Sequence, residues 1–360
     1  MVRIDYAKFL RNFVLAKFGG WSARRPSMAQ IELTLKCNAN CTFCSIWRPE
    51  FQQQSVKNQG QEMTTAEIKR IIDDLDKLNI TVISFTGGEP TLRPDLGELL
   101  DYVTAKGGIM STIATNGLLL EKLAKKGKLR GLEIAMVSID FPTAEMHDKY
   151  RGIKVFDRAL RGIRAFRKLG GKVLISSMVT KESLPYMEDM CKLALRHHCM
   201  IEMLPCENLI REVFDKKLEV EYLERDYVPN LKIWAHNIRN LIQKYPNLTT
   251  DVVTADIIEC GGFQNQKYHC RVASSYVFVK YNGDVVYPCK IHPIISKSAV
   301  KYPIDKIYHS PEVLAIRKKM DGYDFCKGCR LGCAITTSIA MYWKPLWQKY
   351  AKLFFRGNLF

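Results

Sequence analysis

Three cysteines stand close together near the start of the chain, in Cys37-Asn-Ala-Asn-Cys41-Thr-Phe-Cys44. Thiolates with this kind of spacing serve iron–sulfur clusters and structural zinc. A closed zinc site needs a fourth local ligand and usually shows paired C-x2-C elements. No fourth Cys or His lies nearby; the next histidine is His147. Three thiolates on one short loop can instead hold three irons of a cubane and leave the fourth iron open. The alternating run Ile31-Glu-Leu-Thr-Leu35 reads as a strand, so the loop begins at a strand end, where function is commonly mounted.

A second group, Cys260, Cys270, Cys289, Cys326, Cys329 and Cys333, falls within 74 residues. Tyr276–Tyr281 and Asp284–Tyr287 flank Asn282-Gly283, which predicts a hairpin. Cys270 precedes this hairpin and Cys289 follows it. Cys326-Lys-Gly-Cys329 is a C-x2-C pair, with Cys333 four residues on. Cys191, Cys199 and Cys206 show no partner pattern and read as core thiols. The two metal-like groups argue for a reducing, cytoplasmic compartment and against a secreted disulfide framework. Phe13-Val-Leu-Ala16, cut by Lys17, is too short for a signal peptide. No run approaches the ~20 apolar residues of a membrane span.

Strands alternating with helical patterns supply the scaffold for these residues. The expected strands are Ile31–Leu35, Val82–Thr86, Ile109–Ala114, Leu132–Ile139, Val173–Val179 and Met200–Leu204. Thr64-Thr65-Ala-Glu67 matches a capping box opening a helix to about Leu78; Pro94–Ala105 and Lys154–Leu169 are further helices. Six β/α units in series predict a parallel sheet. Polar groups collect at the carboxyl ends of these strands. Thr86-Gly87-Gly88-Glu89-Pro90 offers close backbone approach and a carboxylate able to receive an ammonium group. Thr115-Asn116-Gly117 and Ser138-Ile-Asp140 offer short side chains suited to hydroxyls or a carboxylate, or to ordinary turns.

Cys37-x3-Cys41-x2-Cys44 resembles the signature of the radical S-adenosylmethionine (SAM) superfamily. The resemblance implies that the open iron of a [4Fe–4S] cluster chelates SAM. It further implies that reductive cleavage yields a 5′-deoxyadenosyl radical that abstracts hydrogen. Phe43 matches the aromatic that flanks the adenine; Gly87, Gly88 and Glu89 match the stretch that contacts the SAM amino group. Asn116, Ser138 and Asp140 correspond to positions lining the SAM and substrate pocket, and Ser176 and Ser177 lie where relatives place further contacts. His147-Asp-Lys-Tyr-Arg151-Gly152 is similar to a recurrent family segment, with Arg151 set either for a carboxylate or for a surface ion pair. The implied fold is α/β, a partial (β/α)6 TIM-like barrel followed by a small cysteine-rich α+β domain. The implied partner is a low-potential donor of the ferredoxin or flavodoxin type.

The carboxy-terminal cysteines resemble the SPASM/twitch extension, which binds auxiliary iron–sulfur clusters. The match is good from Cys270 to Cys289 and departs from the full seven-cysteine pattern after Cys326. One auxiliary [4Fe–4S] cluster is therefore expected, on Cys270, Cys289, Cys326 and Cys329, with Cys333 or Cys260 able to replace one of them; structural zinc is the alternative. The expected organisation is a basic amphipathic segment over 1–27, the core over 28–205, a helical bridge over 206–259, the cysteine-rich domain over 260–335 and a basic aromatic tail over 336–360.

The charge bears on the substrate. Lys and Arg number 54 against 37 Asp and Glu, a net +17 over 360 residues, which favours an anionic partner. Tyr6, Phe9, Leu10, Phe13 and Val14 recur at helical spacing among basic residues. Trp343, Trp347, Tyr350, Phe354 and Phe355 stand beside Lys344, Lys349, Lys352 and Arg356 without an acid. Both ends suit either an anionic membrane surface or packing on the fold. The leading expectation is a membrane-associated lipid, isoprenoid or phosphorylated substrate. A peptide comes second, because 36 residues before Cys37 are too few for a leader-binding domain. RNA modification is weaker still: the basic face of 154–169 reads as a solvated outer surface. The non-enzymatic alternative is a zinc-bound module.

Overall fold

The computed structural model describes residues 25–207, 227–263 and 268–342, together with Ala7. The amphipathic segment before residue 25, the charged stretch 218–225 and the aromatic tail after Tyr342 lie outside the described residues.

Six parallel strands follow one another as foreseen: β1 (Met28–Thr34), β2 (Val82–Gly87), β3 (Met110–Thr115), β4 (Ile134–Ser138), β5 (Lys172–Val179) and β6 (Met200–Pro205). The Thr65–Lys77 helix opens on the predicted capping box: the Glu67 N–H donates to Thr64 Oγ1, and the Thr64 N–H donates back to Glu67 Oε2 at 2.8 Å. Helices Leu96–Ala105, Phe156–Lys168 and Met187–Arg196 cover the sheet with their apolar stripes.

Side chains on a strand alternate between faces. Ala29, Ile31, Leu33, Ile83, Phe85, Ile113, Ala135, Val137, Ile175, Ile201 and Met203 form the helix-covered face and are completely buried. Each large member stabilises the fold by roughly 1.5–3 kcal/mol. The opposite, inner face carries Gln30, Thr86, Ala114, Met136, Ser138, Ser176, Met178, Glu202 and Leu204, all half-buried.

The predicted hairpin forms as β7 (Tyr276–Val279) and β8 (Asp284–Tyr287), extended by β9 (Ile295–Ser298). It does not build a sheet of its own. β7 pairs in parallel with β1 from Met28↔Tyr276 to Ile31↔Val279, giving one nine-stranded sheet in the order β6-β5-β4-β3-β2-β1-β7-β8-β9. The sheet is not closed, since β6 and β9 are its two edges. That is the arrangement of a partial barrel. Among the described residues no helix is long and apolar enough to cross a membrane.

Candidate active site

The cysteine loop leaves β1 and is held from three sides. The Asn40 N–H donates to the Arg151 carbonyl and the Thr42 N–H to the Tyr150 carbonyl, both at 3.0 Å. Gly152 has φ 66°, and a Cβ there would stand 2.5 Å from the Asn40 carbonyl, so glycine is required where the Ala144–Arg151 helix meets the loop. Trp47 Nε1 donates to the Cys41 carbonyl at 3.1 Å. Gln52 Nε2 donates to the carbonyls of Leu35 and Ile46, each at 3.0 Å. Glu62 Oε1 accepts from Thr34 Oγ1 at 2.6 Å and from the Leu35 N–H at 3.0 Å. Trp47, Gln52 and Glu62 were not singled out from the sequence; they lie past the motif, and Gln52 sits on an unforeseen helix, Pro49–Gln59.

Gly87 and Gly88 are explained by what they touch. A Cβ on Gly87, at φ 141°, would lie 2.2 Å from the Thr34 carbonyl, and one on Gly88 would lie 2.3 Å from that of Lys36. Their closeness permits Gly88 N–H to donate to Thr34 O at 2.7 Å and Glu89 N–H to Lys36 O at 2.8 Å. The glycine pair therefore seats β2 directly against the lead-in to Cys37.

Glu89 is completely buried. Its Oε1 accepts from Thr91 N, Thr91 Oγ1 and Thr115 Oγ1, and its Oε2 accepts from Asn116 N at 2.8 Å. Burial pushes its carboxyl pKa up, against those donors. In this structure Glu89 braces the ends of β2 and β3. Asn116 donates from Nδ2 to Asn38 Oδ1 at 2.8 Å, reaching the cysteine loop. Ser138 ends β4 on the half-buried inner face. Phe43 is buried, edge-on to Tyr227 at 6.3 Å.

Of the two settings open to Arg151, the structure has it reaching a carboxylate, that of Asp140, and not a surface ion pair. Both are buried, with Arg151 Nη2 2.7 Å from Asp140 Oδ2. Burial raises the Asp140 carboxyl pKa, with Arg151 opposing it. His147 accepts from the Asp140 N–H at Nδ1, and burial, aided by Arg151, holds its pKa well below the ordinary value.

The donor set suits an iron–sulfur cluster. Cys37, Cys41 and Cys44 are free thiols. Burial pushes Cys37 up to about 11 and Cys44 up to about 12. Cys41 adds to both shifts, so the three sulfurs lie within electrostatic reach of one another.

The second thiol group also comes together. Cys289 acts electrostatically on Cys326, Cys329 and Cys333, and Cys329 on Cys270. The Cys333 residue is exposed, yet enough protein surrounds its sulfur for burial to raise the thiol pKa. The Cys270 N–H donates to both oxygens of Asp321 at 3.0 Å. Cys260 lies exposed beside Gly262, where a Cβ would stand 2.5 Å from the Cys329 carbonyl. Lys290, next to Cys289, pairs with Glu32 of β1 at 2.8 Å and joins this group to the inner face of the sheet.

Comparison with known proteins agrees with this geometry. Residues 31–194 match the radical SAM superfamily model, and residues 270–330 match the SPASM iron–sulfur cluster-binding domain. An AdoMet-dependent heme synthase of Oleidesulfovibrio alaskensis is 34% identical over 180 residues, 49% of this chain and 42% of that protein, so the match spans less than half of that relative. An AdoMet-dependent heme synthase of Methanosarcina barkeri is 27% identical over 85% of this chain and 91% of its own length. A mycofactocin maturase of Mycobacterium tuberculosis is 32% identical over 46% of this chain and 41% of its own. The crystal structure of Streptococcus suis SuiB bound to precursor peptide SuiA shares the fold, with TM-score 0.61, 18% identity, and coverage of 85% of this chain and 69% of SuiB. The chain belongs to the radical SAM superfamily and is an enzyme carrying a C-terminal SPASM domain.

Proposed function

We propose that the enzyme abstracts hydrogen from an unactivated C–H position of an amphiphilic substrate, one with an apolar body and an anionic end, held against the inner face of the sheet. The inner face carries this reading. Ala114, Met136, Met178 and Leu204 line its β3–β6 side, while Gln30, Glu32, Thr86 and the Lys290 ion pair line its β1–β7 side. Unbranched methionines adapt to irregular apolar shapes, and the net charge of +17 attracts an anion. When bound, the cluster and SAM supply the 5′-deoxyadenosyl radical. Cys37, Cys41 and Cys44 are the residues to hold that cluster. Gly87, Gly88 and Asn116 order the backbone beside it, with Phe43 under the adenine and Ser138 toward the ribose. A single auxiliary [4Fe–4S] cluster is assigned to Cys270, Cys289, Cys326 and Cys329, with Cys333 as the fifth thiol of the same group. A low-potential ferredoxin or flavodoxin supplies the electrons.

The heme synthase match along almost the whole chain makes an iron-bound, carboxylate-bearing tetrapyrrole one source of this chemistry. An anionic isoprenoid lipid is the other. Anaerobically reconstituted enzyme, SAM and dithionite incubated with iron-coproporphyrin III or with anionic isoprenoid lipid distinguishes the two by product mass. Reductive SAM cleavage that neither compound stimulates, and no product from either, overturns the amphiphile. The maturase relative favours a peptide as the second reading, tested by the same assay with candidate precursor peptides.

A further inference from the structure

The guanidinium of Arg151 is enclosed, the residue being 8% exposed. Three neighbours fix it. Nη2 pairs with Asp140, Nη1 lies 3.6 Å from Cys41 Sγ, and the group sits 5.4 Å above the centre of the Phe43 ring. Asp140 is anchored in turn by the Met178 N–H, which donates to Oδ1 at 2.9 Å. The backbone of the same turn holds the loop through Asn40 and Thr42. A permanent cation is thus locked against one sulfur of the trio, since guanidinium does not deprotonate in proteins. Hydrogen bonds to ligand sulfurs and local net charge are the protein's principal controls on cluster potential.

We propose that Arg151 is a positioning residue that sets the reduction potential of the cluster held by Cys37, Cys41 and Cys44. Its N–H donates to the Cys41 sulfur, and its fixed charge stabilises the electron added on reduction, while Asp140 holds the guanidinium in place and offsets part of its charge. The proposal rests on the three cysteines being the cluster ligands.

The test is an EPR-monitored redox titration of the reconstituted full-length protein, with and without SAM, alongside SAM affinity measured on the oxidised protein. In Arg151→Gln the midpoint is expected to fall, cutting the ratio of reduced to oxidised cluster at a fixed potential about tenfold, which is ~59 mV for a one-electron couple. Arg151→Lys keeps the charge and should recover most of that loss. An unchanged midpoint in Arg151→Gln, with or without weaker SAM binding, overturns the proposal and leaves Arg151 as a SAM contact or a clamp on the loop. If Arg151→Gln does not retain the cluster, Asp140→Asn reads the coupling from the other side. Its midpoint should rise as the counter-charge is lost, and a midpoint equal to that of the unmodified enzyme overturns the idea. Failure of the ligand assignment is separable: a SAM-responsive cluster signal that survives Cys41→Ala removes the ligand reading whatever Arg151 does.

Discussion

The indole of Trp47 donates its Nε1–H to the carbonyl of Cys41 at 3.1 Å. A side chain three residues past the cysteine trio thereby closes the loop on itself. Trp47→Phe keeps the ring and removes the donor. A neutral hydrogen bond contributes about 1 kcal/mol, so the fold should survive while the loop loosens. The cluster absorbance of the reconstituted variant should decay faster in air than that of the unmodified protein; equal decay rates refute this role.

Cys41→Ala should lose reductive SAM cleavage and about four irons per chain, leaving the auxiliary site loaded. Iron analysis and the yield of 5′-deoxyadenosine check both numbers. Full cleavage by the variant removes the ligand assignment.

Gly88→Ala places a methyl 2.3 Å from the Lys36 carbonyl, which is backbone and cannot swing aside. Overpacking of this kind costs roughly 1–3 kcal/mol. The melting temperature and SAM affinity are both expected to drop, because the displaced strand leads straight into Cys37. A variant with unaltered melting and SAM binding contradicts the close approach.

Glu89→Gln tests whether the carboxylate braces the strands. Four donors converge on its oxygens, and an amide turns one acceptor into a further donor. A buried donor left unsatisfied costs about 1–3 kcal/mol. The cofactor-free protein should therefore melt lower. Loss of SAM affinity with unchanged melting assigns Glu89 to the SAM ammonium alone.

The thiol pKa values fix a pH dependence. Cys37 at about 11 and Cys44 at about 12 remain protonated at neutral pH, and alkylation requires the thiolate. In the cluster-free protein, iodoacetamide labelling of both should be slow at pH 8 and rise ~tenfold per pH unit toward pH 10. Peptide mass spectrometry under argon reads the rates. A plateau reached below pH 9 shows that burial does not hold these thiols. Cluster assembly must expel their protons, so retention of iron should weaken as the pH falls.

The barrel was legible because its signals are local: β-branched alternation, the Thr64–Glu67 box and the Asn282-Gly283 turn each act within a few residues. Strand ends differ from expectation by up to three residues, as with β1, which starts at Met28 rather than Ile31. The Pro49–Gln59 helix and β9 carry no such signal, because their polar sequences lack a clear apolar period. Glycines 87 and 88 signal a close backbone approach, but not that the backbone of Thr34 and Lys36 is one of the things they approach. No pattern in the sequence announces that Arg151, 110 residues away, comes to rest on Cys41. Contacts of that separation are properties of the assembled sheet. The charged ends that suggested a membrane fall outside the described residues, and the comparisons do not carry that reading.

β1 is hydrogen-bonded to β2 on one side and to β7 on the other. Cutting the chain between the two cysteine groups would strip one flank of a central strand and leave its amides and carbonyls open to any neighbouring chain. The halves are therefore one cooperative body, and an isolated amino-terminal fragment should precipitate rather than act as a smaller version of the enzyme.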